Sequence, residues 1–384
     1  MDVQGLAYTA AQGWSRAELP ALDSDQTLVL AFGDSEYLDD PEPLEALRRA
    51  YPRSVLAGCS SAGEILGPTV SERGLAVAVA RFAQTRLAIE TLALSASSDS
   101  YAAGAALARR LAVRATAAGE LRGVLVLSDG LSVNASRLVD GFNDIFQGRV
   151  IVTGGLAGDG DRFRRTWVLH HGRPVAGRVS AVGFYGARVH MGHGSRGGWD
   201  IFGPERRVTW AEGNVLYELD GRPALRLYKE YLGEMAEGLP ATGLRFPLAL
   251  RADDGDHKRL VRTIIGVDEA SESMTFAGDI PMGGLARLMR ASFDHLVDGA
   301  EAAALMTRNR GADGAATLAV AISCVGRRMV LGARAEDEVE ATLDALPAGT
   351  LQVGFYSYGE LSPYASGVCD LHNQSMTMTT IHER

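Results

Sequence analysis

Cysteine, lysine and long apolar runs are all scarce in this chain, and each shortage closes off a class of protein. Only three cysteines occur in 384 residues, Cys59, Cys324 and Cys369. An odd, sparse count without a CxxC pair argues against a disulfide framework and against a zinc site. Lysine occurs only at Lys229 and Lys258, so the 38 basic residues are almost all arginine. That skew reads as genome composition rather than as a function. With 47 acidic residues the formal net charge is −9, and no concentrated basic face is present, which a sequence-independent nucleic-acid binder requires. No charge-free apolar run approaches the ~20 residues that cross a bilayer. The N-terminus has neither the basic nor the apolar region of a signal peptide. Together these absences place the protein in the cytoplasm, off the membrane. Low-complexity tracts and a regular period of 20–50 residues are also missing.

Hydrophobic residues make up 46% of the chain, ample for a packed interior. The length exceeds one ordinary core, which stops growing at roughly 250–300 residues, and points to two domains. Apolar runs at Thr27–Gly33, Ser54–Gly58, Leu121–Ser128, Val150–Thr153, Thr317–Val325 and Leu351–Tyr356 read as buried strands. Helices are expected from Pro41 to Tyr51, over Ser100–Ala117, after an Asn134 cap, from Pro223, near Leu285–Val297 and over Glu336–Leu346. Gly74–Phe82 with Arg86–Leu94, and the segments around His171-Gly-Arg-Pro174, read as antiparallel neighbours. The expected fold class is therefore α/β with mixed, partly antiparallel sheets flanked by helices, in two domains. Asp220-Gly-Arg-Pro223 marks the expected boundary. It separates a lead-in (1–26) and an N-terminal domain (27–219) from a C-terminal domain (220–384). Val182-Gly-Phe-Tyr185 recurs as Val353-Gly-Phe-Tyr356; coincidence and a duplicated α/β unit both remain open.

Several segments carry groups capable of chemistry. Gly154-Gly-Leu-Ala-Gly-Asp-Gly160 lacks the GxGxxG order and any GK[ST], and a strand rather than a helix follows, so nucleotide binding is not expected. The glycines instead suit a tight turn that lets backbone approach another element or a ligand; Asp159 is its charged member. Gly58-Cys-Ser-Ser-Ala-Gly63 fails the GxSxG pattern because residue 62 is Ala. Cys59 and Ser60 are still candidate nucleophiles or ligand contacts at a strand end, and Glu64 follows where α/β sheets bind ligands. Gly354-Phe-Tyr-Ser-Tyr-Gly-Glu360 offers Tyr356, Tyr358 and Glu360 to an amine or hydroxyl, or to buried backbone. Of eight histidines, His190 and His193 fall in what reads as an irregular glycine-rich loop. Either is a candidate axial ligand for haem, without thioether attachment since CxxCH is absent. His295 lies beside the apolar stripe of its helix and suits packing.

Over these same segments the sequence resembles the FIST sensory family. The N-terminal signature is similar to Gly58-Cys-Ser-Ser-Ala-Gly-Glu-Ile65, Ser128-Asp-Gly130 and Gly154–Gly160. The C-terminal one is similar to Tyr217-Glu-Leu-Asp-Gly-Arg-Pro-Ala224 with Tyr231-Leu-Gly233, Ser323-Cys-Val-Gly-Arg-Arg328, Gly354–Glu360 and His372-Asn-Gln-Ser375. The resemblance implies paired domains that bind a small molecule and report to a signalling partner. With no output module expected before Arg384, the partner would be a separate histidine kinase or cyclic-di-GMP enzyme, and a homodimer is possible. Stand-alone members include haem-binding nitric-oxide sensors, which would make haem b a cofactor here. Others sense amino acids or similar polar metabolites, for which Asp159, Glu360 and Tyr356 are the candidate contacts. An enzyme using Cys59 or Ser60 is the third reading, and no motif places a base beside either residue.

Overall fold

The apolar runs that mark strands are buried on both faces. The computed structural model describes residues 1–253, 255, 260–307, 315–364 and 367–384, with backbone alone at 116–118. In it Thr27–Gly33 and Thr317–Cys324 are buried at every position. A strand between two apolar layers has no solvent side, so its sequence does not alternate.

Three of the four described sheets share one plan. Side by side in the first lie Asp2–Thr9, Gly74–Arg81, Thr27–Gly33 and Val55–Ser60. The second aligns Arg86–Ala93, Arg178–Tyr185, Leu121–Ser128 and Ile151–Leu156. The third aligns Val189–Arg196, Met376–Glu383, Thr317–Cys324 and Leu351–Ser357. In each set the last two strands run parallel and the other neighbours antiparallel. A helix links each parallel pair: Glu42–Ala50, Ala135–Phe146 and, in the third, Val325–Leu331 followed by Ala335–Asp344. The chain is thus a threefold repeat, with copies of unequal length that leave no period in the sequence.

Each sheet is completed by a hairpin from another copy. Glu64–Leu66 with Thr69–Ser71, from the first copy, joins the third sheet. Val168–His170 with Arg173–Val175, from the second, joins the first sheet. Glu360–Pro363 with Cys369–His372, from the third, joins the second. The three inner faces meet in one apolar core holding Leu127, Phe184 and Ile322, where the rings of Phe32 and Phe355 stack at 4.7 Å. Helices cover the outer faces through Leu44 and Leu47, Leu138 and Phe142, and Ala300 and Val339.

Where the hairpins cross, backbone groups close a ring. Ser60 N–H donates to the Trp167 carbonyl (2.9 Å), and its own carbonyl accepts from Gly158 (3.0 Å). Leu156 does the same with Gly359 (2.8 Å) and Tyr358 (3.2 Å), and Tyr356 with Gly63 (2.8 Å) and Ala62 (2.8 Å). Two residues before each lies a glycine, Gly58, Gly154 or Gly354. A Cβ there would sit 2.0, 1.8 or 1.7 Å from the carbonyl oxygen of Ala31, Val126 or Ala321, its partner on the parallel strand. The glycines therefore answer to strand approach, not to flexibility.

Residues 200–290 are inserted into the third copy. They form an antiparallel eight-stranded sheet with the helix Ala224–Leu232 and a separate core around Leu216, Tyr228 and Phe276. The α/β class with mixed, helix-flanked sheets in two parts is what the structure has. Hairpins exchange between sheets on either side of Asp220, and the inserted residues add a sheet of their own.

Other sequence expectations change for physical reasons. Leu285–Arg290 is a strand between Asp200–Glu212 and Leu248–Arg251, and the helix starts only at Phe293; partner strands override a helical spacing. The segment containing His190 and His193 is no loop but the strand Val189–Arg196, paired along its length with Met376–Glu383. Its Gly192 and Gly194 admit the helix Phe293–Met306 and its end, since Cβ atoms would meet the carbonyl oxygens of Thr307 (2.3 Å) and Ala303 (2.1 Å). The Val-Gly-Phe-Tyr echo is coincidental, because its two members occupy non-equivalent strands. Gly58–Glu64 and Gly354–Glu360 are the true equivalents. Among the described residues no helix is long and apolar enough to cross a membrane.

Replacing Gly354 by Ala should cost about 3 kcal/mol, as overpacking against a fixed carbonyl does. Urea unfolding reads this directly, and an unchanged midpoint would refute the strand-approach account.

Candidate ligand-binding site at the strand ends

The parallel strands of all three copies end at the same apex, the end at which open α/β sheets take ligands. Residues that leave the first strand of each pair are equivalent: Asp34, Asp129 and Cys324 donate their amides to the carbonyls of Gly74, Arg178 and Ser375. The turns leaving the second strand differ in one decisive place. Ala62, Gly158 and Tyr358 occupy the same position, as the hydrogen-bond ring shows. Tyr358 places a ring in its corner and lines a separate cavity there. Ala62 leaves its corner open, and a cleft of about 520 Å³ lies there.

This cleft is lined by Asp34, Ser61, Ala62, Gly63, Glu64, Glu72, Arg73, Asp159, Gly160, Asp161, Arg162, Val325, Arg328, Met329 and Gly332. Carboxylates and guanidiniums thus face one small space. Arg328 is fixed by three contacts: its Nη1 donates to the Ala62 carbonyl, its Nη2 pairs with Glu72, and its guanidinium lies 5.5 Å over the Tyr356 ring. Any side chain at Gly63 would collide with that guanidinium, since a Cβ would lie 2.7 Å from Nη1. Glu72 is 68% exposed, so a ligand carboxylate can replace it at little cost.

Glu64 is buried and accepts from the Gly74 amide (3.2 Å) and Ser71 hydroxyl (3.4 Å). Burial, with the nearby Asp34 carboxylate adding to it, pushes its carboxyl up to about 8. Asp34 accepts from the Glu36 amide (2.8 Å) and pairs with Arg162 (3.5 Å).

The 157–166 segment arches over the cleft. Asp159 organises it: one carboxylate oxygen accepts the amides of Arg164 and Arg165 (3.0 Å each), and the other accepts the Tyr358 hydroxyl. Burial raises the Asp159 carboxyl, but these bonds outweigh it and hold the group below the usual range. Arg162 reaches the Ser35 hydroxyl (3.1 Å), and Arg165 pairs with Glu36 and Asp39, so the arch is clipped to the first copy. Between them Phe163 takes φ +49° and stacks on Tyr358 at 4.5 Å, a left-handed conformation that costs a bulky residue roughly 1–3 kcal/mol.

The sequence-derived candidates separate into groups. Glu64 and Asp159 line the cleft, and Tyr358 holds Asp159. Tyr356 lies behind it, its ring under Arg328 and its hydroxyl donating to Glu338 (2.9 Å). Glu360, the equivalent of Glu64, is closed off by Ser357 and Ser375 (2.7 and 2.9 Å), and burial raises it to about 8 as well. Cys59 is fully buried among apolar side chains, and burial alone pushes its thiol well up. The Ser60 hydroxyl accepts the Trp167 amide (3.1 Å) in the interior. Among the described residues neither hydrogen-bonds a side chain that could act as the base a nucleophile requires.

His190 and His193 are three apart on a regular strand and project from opposite faces. Neither lines a described cavity, and burial keeps both below the usual imidazole range. His190 stacks on His382 at 5.5 Å. These positions do not fit a haem. His257 lies outside the described residues.

Asp34, Arg162 and Arg328 were not read from the sequence. The available signals were Gly33-Asp34 at a strand end and the quoted Arg328 motif, but only the hairpin exchange brings them together.

Unfolded, Glu64 gives up its proton near the ordinary value of 4.5; folded, near 8. Between these values the folded form binds the extra proton, so this residue makes stability fall as pH rises, by about 1.4 kcal/mol per unit. Glu64→Gln should therefore gain stability on wild type progressively from pH 5 to 8. A constant difference in urea titrations over that range contradicts this protonation.

Comparison with known proteins adds the family. Residues 27–222 match the FIST N domain and residues 224–363 the FIST C domain. No curated protein matches the chain. Solved structures similar to it include a chorismatase, 8% identical over 99% of this chain and 98% of that one, with a TM-score of 0.34. Another is a cyanuric acid hydrolase from A. caulinodans, 11% identical over 100% and 99%, with a TM-score of 0.37. At such TM-scores neither likeness carries an argument.

Proposed function

Because the chain belongs to the FIST family, whose domains are sensory domains of signal transduction, we propose that it senses a small zwitterionic metabolite, of the amino-acid type. The observation that carries this is the opposed charge in the apex cleft. Arg328, held by an exposed and exchangeable Glu72, suits a ligand carboxylate, and Asp34 with Glu64 suits an ammonium group. Pairing in a partly desolvated cleft is stronger than at an open surface. An arriving ammonium would also favour the charged form of Glu64, so binding should release a proton.

Occupancy can travel along the short helix that bears Arg328. Its neighbour Arg327 is fully buried, pairs with Glu338 at 2.7 Å and donates to the carbonyls of Gly197 and Leu296. A shift of Arg328 would therefore be felt where the insertion begins and on two helices. Throwing a two-state equilibrium from 1:99 to 99:1 takes about 5.5 kcal/mol of differential binding. The reading makes the protein a cytoplasmic, non-enzymatic receptor with a histidine kinase or cyclic-di-GMP enzyme as partner. The haem-linked nitric-oxide version lacks support from the packed strand around His190 and His193, and no step is routed through haem.

Thermal unfolding with each of the twenty amino acids tests the ligand class. A true ligand at a hundred times its Kd should stabilise by about 2.7 kcal/mol, and Arg328→Ala should weaken it at least tenfold. If none binds, or if Arg328→Ala binds as wild type does, the reading fails.

A further inference from the structure

A second cavity, of about 430 Å³, lies between the apex turns and the inserted sheet. It shares only Val325 with the polar cleft and differs from it in chemistry. Among the described residues Asp279 is the one charged residue on its wall; Arg262, whose Nε donates to the Asp279 carbonyl (3.2 Å), is buried behind Gly278 and lines a neighbouring cavity instead. Cys324 also lines it, with a thiol that burial pushes up to about 12, so this group is neutral.

Three exposed apolar side chains converge on this space from separate parts of the chain. They are Leu131 (40% exposed) after a strand of the second copy, Phe163 (52%) on the arch, and Ile265 (49%) on the inserted sheet. Single exposed apolar residues are ordinary; their convergence around one cavity is the feature that marks a binding site. Phe163 is held there in a backbone conformation that bulky residues avoid, its ring nearly parallel to Tyr358 at 13°. The Tyr358 hydroxyl is engaged by Asp159 and by the Gly160 carbonyl (2.9 Å), which leaves the pair only its ring surfaces for further contact. Thr263, 5% exposed, also borders the cavity, but its Oγ1 is sealed in the interior and meets no partner among the described residues, so the wall offers a guest chiefly apolar contact.

We propose that this cavity is a second binding site, for an uncharged planar aromatic or heteroaromatic compound. The ring lies against Phe163, within the apolar rim of Leu131 and Ile265. Offset stacking and edge contacts with Phe163 and Tyr358 favour a flat guest over an equally apolar puckered one. The apolar rim and Asp279 disfavour an anion. The site is independent of the zwitterion reading, since none of the charged groups of the polar cleft contributes to it.

Ligand-observed NMR and calorimetry on the full chain test this with indole and 2-naphthol as planar probes and cyclohexanol as the puckered control. At least one planar probe should bind saturably, one per chain, and tenfold or more tighter than cyclohexanol. Phe163→Leu, which keeps bulk without the ring, and Ile265→Ser should each weaken it at least fivefold. Both residues are exposed, so folding should persist, as circular dichroism will report. Val113→Ser, on a helix away from the cavity and 71% exposed, should bind as wild type does. The proposal is overturned if neither planar probe saturates, if cyclohexanol binds equally well, or if Phe163→Leu and Ile265→Ser leave affinity unchanged.

Discussion

The backbone ring through Ser60, Leu156 and Tyr356 is the contact on which this architecture rests. At each of these residues the chain leaves its own sheet and enters the next, donating one hydrogen bond and accepting another across the crossing. No copy can close its sheet alone, since the edge beside Val55–Ser60, Ile151–Leu156 or Leu351–Ser357 is covered by a hairpin made elsewhere. An uncovered edge is a template for wrong pairing, so exchange links the three copies into one body. The nearby glycines follow from the same constraint, because parallel strands this close admit no Cβ at Gly58, Gly154 or Gly354.

A repeated frame lets equivalent positions shape different spaces. Tyr358 braces the arch through Asp159 and lines the apolar cavity, whereas Ala62 at the equivalent place borders the polar cleft. The two glutamates that follow these turns show the same division. Glu360 is sealed by two serine hydroxyls, and Glu64, equally buried, lies on the wall of a space that admits a guest. Burial is the main cause that raises both carboxyls, with Asp34 adding to it at Glu64; what separates them is access. Beside the cleft, Arg327 and Glu338 form an ion pair with both side chains fully buried. Such a pair adds little net stability over apolar packing, but removing one partner is costly. It therefore fixes the position of the helix that also carries Arg328.

The arch serves both cavities. Asp159 through Arg162 face the polar cleft, and Phe163 faces the apolar one. Because Asp159 grips the amides on the far side of Phe163, displacement of either end moves the other. Two guests at the apex would therefore act on one segment, which is the physical requirement for coupling between them.

The sequence by itself determined the strands and most helices of the three copies, because strands buried on both faces must be continuously apolar and helix caps are local. It also singled out Glu64, Asp159 and Tyr358 as polar groups at strand ends. The threefold repeat was not legible, since its copies differ in length and share little beyond Gly58–Glu64 and Gly354–Glu360. Nor was the strand at Val189–Arg196, whose glycines read as a loop until a helix was packed against them. The gathering of Asp34, Arg162 and Arg328 around one cleft was likewise a tertiary outcome. Residues so distant along the chain meet only when hairpins change sheets, and the hydrogen bonds that make them do so are between backbone groups, which carry no signature in the sequence.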